Sequence, residues 1–317
     1  MNIISVKNLT KKYKKGTVNA VNDVSFEVKQ GEFFALLGPN GAGKTTMISM
    51  LNTTLSKTLG EIEIAGFDSE KYADEVRQNI GVIFQNPSLD ANLTAEENIR
   101  LHTNLYGIYP YRPFYKMMPQ DYKEKVTELA KVLDLKTSDL FKPIKTFSGG
   151  MKRKLEIIRG LMHSPKVLFL DEPTTGLDPV SRKNLWEYLQ KVRQEKGITI
   201  FLTTHYLDEA EGADTVCVIN HGKIVSFGSP AQLKAKLVDQ FLILESNNKN
   251  ELAAELKGMN LKIESTYPFK IDIVDSKHAQ KILQSIKTEL SSIKILSPTL
   301  EEAYISLIDS KKNNEQL

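Results

Sequence analysis

EFFALLGPNGAGKTTMISML, Glu32 to Leu51, is the stretch that decides the fold. It opens with a short, nearly continuous apolar run, the mark of a buried strand, and closes on a helix-like segment. Between them Gly38, Gly43, Lys44 and Thr45 stand at the spacing G-x-x-x-x-G-K-[ST]. Pro39, Asn40, Gly41 and Ala42 form the curve of this loop, and Thr46 follows it. Glycines at those places let backbone N–H groups turn toward phosphate oxygens. The lysine then reaches the outer phosphates as a point charge, and the threonine hydroxyl suits Mg²⁺. The motif needs a strand before it and a helix after it, and this stretch has both.

Further apolar runs extend the pattern: IGVIFQ ending at Gln85, VLFLDEP carrying Asp171 and Glu172, and ITIFLTTH ending at His205. The last two are separated by the helical segment SRKNLWEYLQKVRQEKG, so strands and helices alternate as in a parallel α/β sheet. A strand that ends in Asp171 delivers a carboxylate to the sheet edge, where it can hold Mg²⁺. Glu172 points elsewhere and can take a proton from an attacking water. Acids after a strand also serve as helix caps, and a lone histidine is usually a satisfied structural residue. At this edge, however, His205 could reach a γ-phosphate, and the Gln85 amide could contact Mg²⁺ or orient water. FSGGMKRK, from Phe147, places Ser148, Gly149 and Gly150 before a basic helix, which makes a second anion cradle a hundred residues from the first.

The bulk numbers bound the function. The 317 residues suggest about two domains, with 41% hydrophobic and 26% charged residues as in an ordinary soluble globular chain. Lys and Arg number 42 against 39 Asp and Glu, a net +3 that gives no reason to expect nucleic acid as a partner. Its single cysteine, Cys217, excludes an internal disulfide framework and fits a reducing compartment. Five scattered histidines offer no zinc spacing. No secretory signal is read at the start, and no apolar run approaches the roughly 18 residues needed to span a bilayer.

Residues 1–30 alternate like antiparallel strands, and about 86–160 turn polar and helical. That segment is broken by YGIYPYRPFYKMMPQ, Tyr106 to Gln120, read either as a loop packed on its own subdomain or as a docking surface for a partner helix. The composition shifts after HGKIVSFGSP. Beyond Lys234 the expected order is strand FLILES, helix NELAAELKG, strands LKIES and FKIDIVD, helix HAQKILQSIKTEL and strand IKIL, a split βαβ arrangement. Thr299 and Glu302 stand at capping-box spacing for a final helix. The expected fold is an α/β P-loop NTPase core over 1–232, with an antiparallel β subdomain and a helical subdomain, and a small α+β domain over 235–317.

In this order the motifs resemble the ATP-binding subunits of ATP-binding cassette (ABC) transporters over roughly residues 3–230. Tyr13 matches the aromatic that stacks on adenine, Gly38–Thr46 the Walker A loop, and Gln85 the Q-loop. SGGM from Ser148 matches the signature, VLFLDE the Walker B strand, GLDP from Gly176 the D-loop, and His205 the switch histidine. Met151 departs from the usual glutamine of the signature. The resemblance implies ATP and Mg²⁺ as cofactors, with Thr45, Gln85 and Asp171 at the metal and Glu172, His205 and Gln85 catalytic. It also implies two cassettes paired head to tail, so that Ser148, Gly149 and Gly150 grip the partner's ATP. A homodimer is preferred because this chain keeps both Glu172 and His205. SGGMKRKLEIIRGLMHSPKVLFLDEPTTGLDP and the tail SPTLEEAYISLI are similar to prokaryotic drug- and antibiotic-resistance exporter ATPases, of daunorubicin-resistance and sodium-extrusion type. That similarity implies a separately encoded membrane permease, a peripheral place on the cytoplasmic membrane face, and a regulatory C-terminal extension. An importer subunit and a soluble, non-transport cassette ATPase are the alternatives.

Overall fold

The computed structural model describes residues 1–14, 16–237, 240–259, 261, 263–264, 267–273, 276–296, 299–301 and 304. The chain divides into two compact units, Met1–Phe227 and Gly228–Leu317.

The first unit is built on two sheets. Strands β1 (Asn2–Lys12), β2 (Asn19–Lys29), β3 (Phe33–Leu37), β4 (Leu59–Ile64) and β5 (Phe67–Asp68) are joined by helix α1 (Lys44–Leu51) between β3 and β4. β2, β1, β4 and β5 form an antiparallel sheet in that order. Its alternating residues, Ile4, Val6, Val24, Phe26 and Val28 among them, turn inward, as the period of two requires. The other sheet contains β3, β6 (Ile80–Ile83), β7 (Val167–Asp171), β8 (Thr199–Thr204), β9 (Thr215–Asn220) and β10 (Lys223–Gly228), in the order β10-β9-β3-β8-β7-β6. Every residue of β3, β7 and β8 is buried, and Phe34, Phe201 and Phe169 pack in sequence at 5.0 and 5.3 Å between them. Strands covered on both faces carry near-continuous apolar runs, which is why these show no alternation, and their polar residues, Asp171, Thr199, Thr203 and Thr204, stand at the strand ends.

Six further helices accompany this sheet: α2 (Ala73–Asn79) precedes β6, and α3 (Ala95–Leu105), α4 (Gln120–Val132) and α5 (Gly149–Leu161) lie between β6 and β7. α6 (Pro179–Lys196) links β7 to β8, and the short α7 (Leu207–Glu211) follows β8. α3 opens with a complete capping box between Thr94 and Glu97. Its buried Glu96 receives both Arg100 and the Tyr122 hydroxyl of α4, each at 3.0 Å, pinning the two helices together.

Two segments end earlier than their sequence suggests. IGVIFQ leaves the sheet at Ile83, because the carbonyls of Phe84 and Gln85 accept from the Arg153 guanidinium of α5 at 2.7 and 2.9 Å. KTTMISMLNTTL stops at Leu51, where the Asn52 side chain captures the amide and hydroxyl of Thr54.

In the second unit, α8 (Pro230–Leu237) precedes β11 (Gln240–Glu245), α9 (Lys249–Gly258), β12 (Ile263–Glu264), β13 (Phe269–Ile273), α10 (Ser276–Ser285) and β14 (Ser292–Leu296). The strands pair antiparallel in the order β12-β13-β11-β14, the split βαβ arrangement. Leu242, Leu244, Ile271 and Ile273 meet Leu252, Leu256, Ala279 and Ile282 in a separate core. α10 stops at Ser285, short of the expected Leu290, since the Glu255 carboxylate takes the amides of Lys287 and Thr288. The expected pairing of Thr299 with Glu302 lies outside the described residues.

Candidate functional site

Strand register brings the site together. Leu37 pairs with Thr204, Asp171 with Thr203, and Leu170 with Ile83. Gly38, Glu172, His205 and Gln85, which follow these residues, therefore leave the same carboxyl edge of a parallel sheet, the edge where open α/β sheets bind ligands.

Close packing shapes the phosphate loop. A Cβ on Gly38 would come 2.3 Å from the Ile219 carbonyl oxygen, and Gly38 donates its N–H to Thr204 O at 3.3 Å. Gly43 has φ +106°, and a Cβ there would lie 2.4 Å from the Ala20 carbonyl oxygen. As N-cap of α1 it supplies no side-chain acceptor, so the first-turn amides keep their capacity for an anion. Lys44 is 5% exposed and donates to the carbonyls of Gly38 at 2.8 Å and Pro39 at 3.2 Å. Thr45 is exposed in the first turn of α1. The Tyr13 hydroxyl lies 3.2 Å from Thr46 Oγ1, which brings the half-exposed ring to the loop.

The two acids at the end of β7, Asp171 and Glu172, diverge. Asp171 is buried and accepts from the Thr203 hydroxyl, and burial pushes its carboxyl above the ordinary range. Glu172 has φ +45°, a left-handed conformation that costs a non-glycine residue about 1–3 kcal/mol. Its amide donates to Thr203 O at 3.0 Å. Its side chain meets Lys44 Nζ at 3.3 Å, Gln85 Nε2 at 3.3 Å and His205 Nδ1 at 3.2 Å. The Lys44 contact is an ion pair and the Gln85 contact a hydrogen bond. The His205 approach lacks hydrogen-bond alignment. Three expected site residues from three segments thus converge on the carboxylate of a fourth.

The second cradle stands apart. Ser148 is the N-cap of α5, accepting from the Met151 amide at 3.2 Å. Gly149 and Gly150 face Leu177 and Ser181, at the start of α6. Among the described residues, no hydrogen bond or ion pair joins Ser148, Gly149 or Gly150 to the Gly38–Thr46 loop. Arg153, one turn into α5, was not among the expected site residues. It is buried, pairs with Glu156 at 2.8 Å and braces the backbone at Gln85. Its place in the basic run MKRK gives no sign of this.

The family model described as ABC transporter matches residues 21–175. The chain is 38% identical over 240 residues to the probable multidrug ABC transporter ATP-binding protein YbhF of Escherichia coli K12, covering 74% of this chain but only 38% of YbhF. It is 33% identical to the linearmycin resistance ATP-binding protein LnrL of Bacillus subtilis 168, covering 96% of this chain and 98% of LnrL. With the doxorubicin resistance ATP-binding protein DrrA of Mycobacterium tuberculosis H37Rv it shares 32% identity, over 96% of this chain and 93% of that one. Among solved structures, cbiO1 of Clostridium perfringens, part of the ABC transporter complex cbiONQ, superposes with TM-score 0.65 at 29% identity, over 74% of this chain and 91% of that one. The dimeric cassette MJ0796 bound to ADP and Pi gives TM-score 0.62 at 26% identity, over 71% of this chain and 98% of that one. Identity of 33% and 32% over nearly the full lengths of LnrL and DrrA places this chain in the ABC transporter family as an ATP-binding subunit.

Proposed function

We propose that this chain is the ATP-hydrolysing subunit of an exporter, working as a homodimer of cassettes against a separately encoded permease at the cytoplasmic face of the membrane. The observation that carries the reading is the convergence of Lys44, Gln85 and His205 on the Glu172 carboxylate. Gly38–Thr46 holds the phosphates and Tyr13 takes the adenine. Glu172 accepts the proton of the attacking water, Gln85 orients that water, and His205 contacts the γ-phosphate. Thr45, Gln85 and Asp171 offer the hard oxygen donors that Mg²⁺ prefers, and the ion would neutralise charge on the phosphates. One or two protein oxygens plus substrate phosphate are enough for that ion, and the described residues contain no cluster of three or more His, Cys, Asp or Glu able to hold one alone.

Ser148, Gly149 and Gly150, at the exposed start of α5, grip the nucleotide of the second cassette. Export is supported by the resistance proteins LnrL and DrrA, and pairing by the dimeric MJ0796 cassette. No described helix is long and apolar enough to cross a membrane, so transport calls for a membrane partner. The Tyr106–Gln120 stretch supplies one face for it: Tyr109 and Tyr115 pack on Tyr122, while Phe114 and Met117 are 67% and 54% exposed.

The test is to tag Glu172→Gln, add Mg-ATP, purify from detergent-solubilised native membranes and weigh the complex. Two copies with a hydrophobic partner are expected, and the partner should be lost when Phe114→Ala and Met117→Ala are added. A nucleotide-locked dimer without a membrane protein would discard the transport reading.

A further inference from the structure

Glu209 lies on α7, four residues past His205, and is 3% exposed. A buried carboxylate requires donors, and both of its oxygens have one. Oε1 accepts from the Thr174 hydroxyl, and Oε2 accepts from the Thr204 hydroxyl at 2.5 Å. Both threonines are fully buried. Thr174 sits two residues after Glu172, and Thr204 immediately precedes His205. Thr204 is itself held twice more, its carbonyl by the Gly38 amide at 3.3 Å and its hydroxyl oxygen by the Tyr206 amide at 2.9 Å. The Thr174 carbonyl accepts from the Leu177 amide at 3.0 Å, in the turn that leads into α6.

We infer that Glu209 is a positioning residue, which through Thr174 and Thr204 fixes the segments carrying Glu172 and His205 relative to each other and to the phosphate loop. It does not touch the reacting atoms. Two loops leaving adjacent strands have no covalent reason to keep a fixed spacing beyond the last ladder bond. Glu172 in addition holds a left-handed conformation that its surroundings must enforce. A single acceptor on α7 that ties the loop after β7, at Thr174, to the last residue of β8, Thr204, supplies that constraint. An error of about 1 Å in such a geometry can slow chemistry on the order of a hundredfold while leaving ground-state binding alone. The inference rests on the assignment of Glu172 and His205 above.

The experiment measures steady-state ATPase activity, nucleotide Kd and thermal midpoint for Glu209→Gln, Thr174→Val, their double variant and Thr174→Ser, with Glu172→Gln alongside. Gln retains shape but cannot accept both hydroxyls, Val removes one donor, and Ser retains it. Glu209→Gln and Thr174→Val should each lower kcat by roughly 10- to 100-fold. Kd should stay within about twofold, since the bond from the Gly38 amide to the Thr204 carbonyl is a backbone contact that these variants leave in place. The double variant should be no slower than the worse single one, because both break one tie. Thr174→Ser should restore kcat. Unchanged kcat in Glu209→Gln beside a dead Glu172→Gln would overturn the positioning role alone. Multiplicative losses in the double variant, or losses tracking the thermal midpoint without rescue by Ser, would overturn it too. Full activity in Glu172→Gln would overturn the assignment of Glu172, and the inference with it.

Discussion

The Lys44 ammonium lies 3.3 Å from the Glu172 carboxylate, with both side chains at most 10% exposed. The cation that would take the outer phosphates and the base that would activate water thus neutralise each other in a buried pair. Replacing Glu172 by Gln removes a competitor for Lys44 as well as the base. Turnover should fall about 10²–10⁴-fold, while ATP affinity stays level or rises. Lys44→Ala should instead weaken ATP binding by at least about tenfold, from the loss of a charge-assisted contact. Equilibrium binding of a fluorescent ATP analogue and single-turnover hydrolysis separate the two variants; a Glu172→Gln protein that loses affinity would contradict the pairing.

Gly43→Ala should damage the loop more than Gly41→Ala. Both glycines have positive φ, +106° and +81°, but only at Gly43 does the new methyl meet backbone, the Ala20 carbonyl. Strain alone is worth about 1–3 kcal/mol at either place. At Gly43 the clash must also move β2 or the first turn of α1. Thermal unfolding and nucleotide binding should both rank Gly43→Ala below Gly41→Ala, and equal behaviour would show that the loop yields.

Arg153 binds Phe84 O, Gln85 O and Glu156 from a buried position, so Arg153→Ala leaves Glu156 without its partner and two carbonyls short of a donor. The cost should be about 3–5 kcal/mol in urea unfolding. Arg153→Lys should recover only part of it, because a point charge cannot span two carbonyls and a carboxylate as a planar fork does. A loss below about 1 kcal/mol for Ala would mean that the 84–85 segment holds itself.

Acid should destabilise the first unit through His102. Burial, then the positive charge of Arg159 and His163, holds this imidazole down at about 3, and burial lowers His163 as well. In the unfolded chain a histidine titrates near 6.5. Below that pH the unfolded state binds a proton that folded His102 refuses, so stability falls from about pH 6.5 until about pH 3 is reached. By pH 5 the loss from His102 should be about 2 kcal/mol. Urea midpoints at pH 7.5 and 5 measure it. His102→Phe, which retains a ring against Tyr106, should flatten the dependence, and an unchanged slope would assign it to other groups.

Much of this was legible in residue order. GPNGAGKTT names its own chemistry because a glycine loop between strand and helix has few other uses, and VLFLD and ITIFL declare buried strands by having no polar face. The split βαβ order of the second unit was readable from the alternation of short strands with two helices. The ends of elements were less legible. IGVIFQ, KTTMISMLNTTL and HAQKILQSIKTEL all read longer than they are, since Arg153, Asn52 and Glu255 each divert backbone groups that local propensity assigns to the element.

By itself, the sequence determined the order of motifs, the two sheets and the residue types at the carboxyl edge, because these follow from hydrophobic period and turn chemistry within a few residues. Only the tertiary structure decided which groups meet. The Lys44–Glu172 pair, the Arg153 brace and the Glu209 clamp join residues 128, 68 and 35 positions apart, the last two linking Arg153 to Gln85 and Glu209 to Thr174. Their geometry depends on strand register and on a left-handed Glu172. No local pattern encodes those distances, since a buried charge shows what it needs only once its partner has been brought beside it.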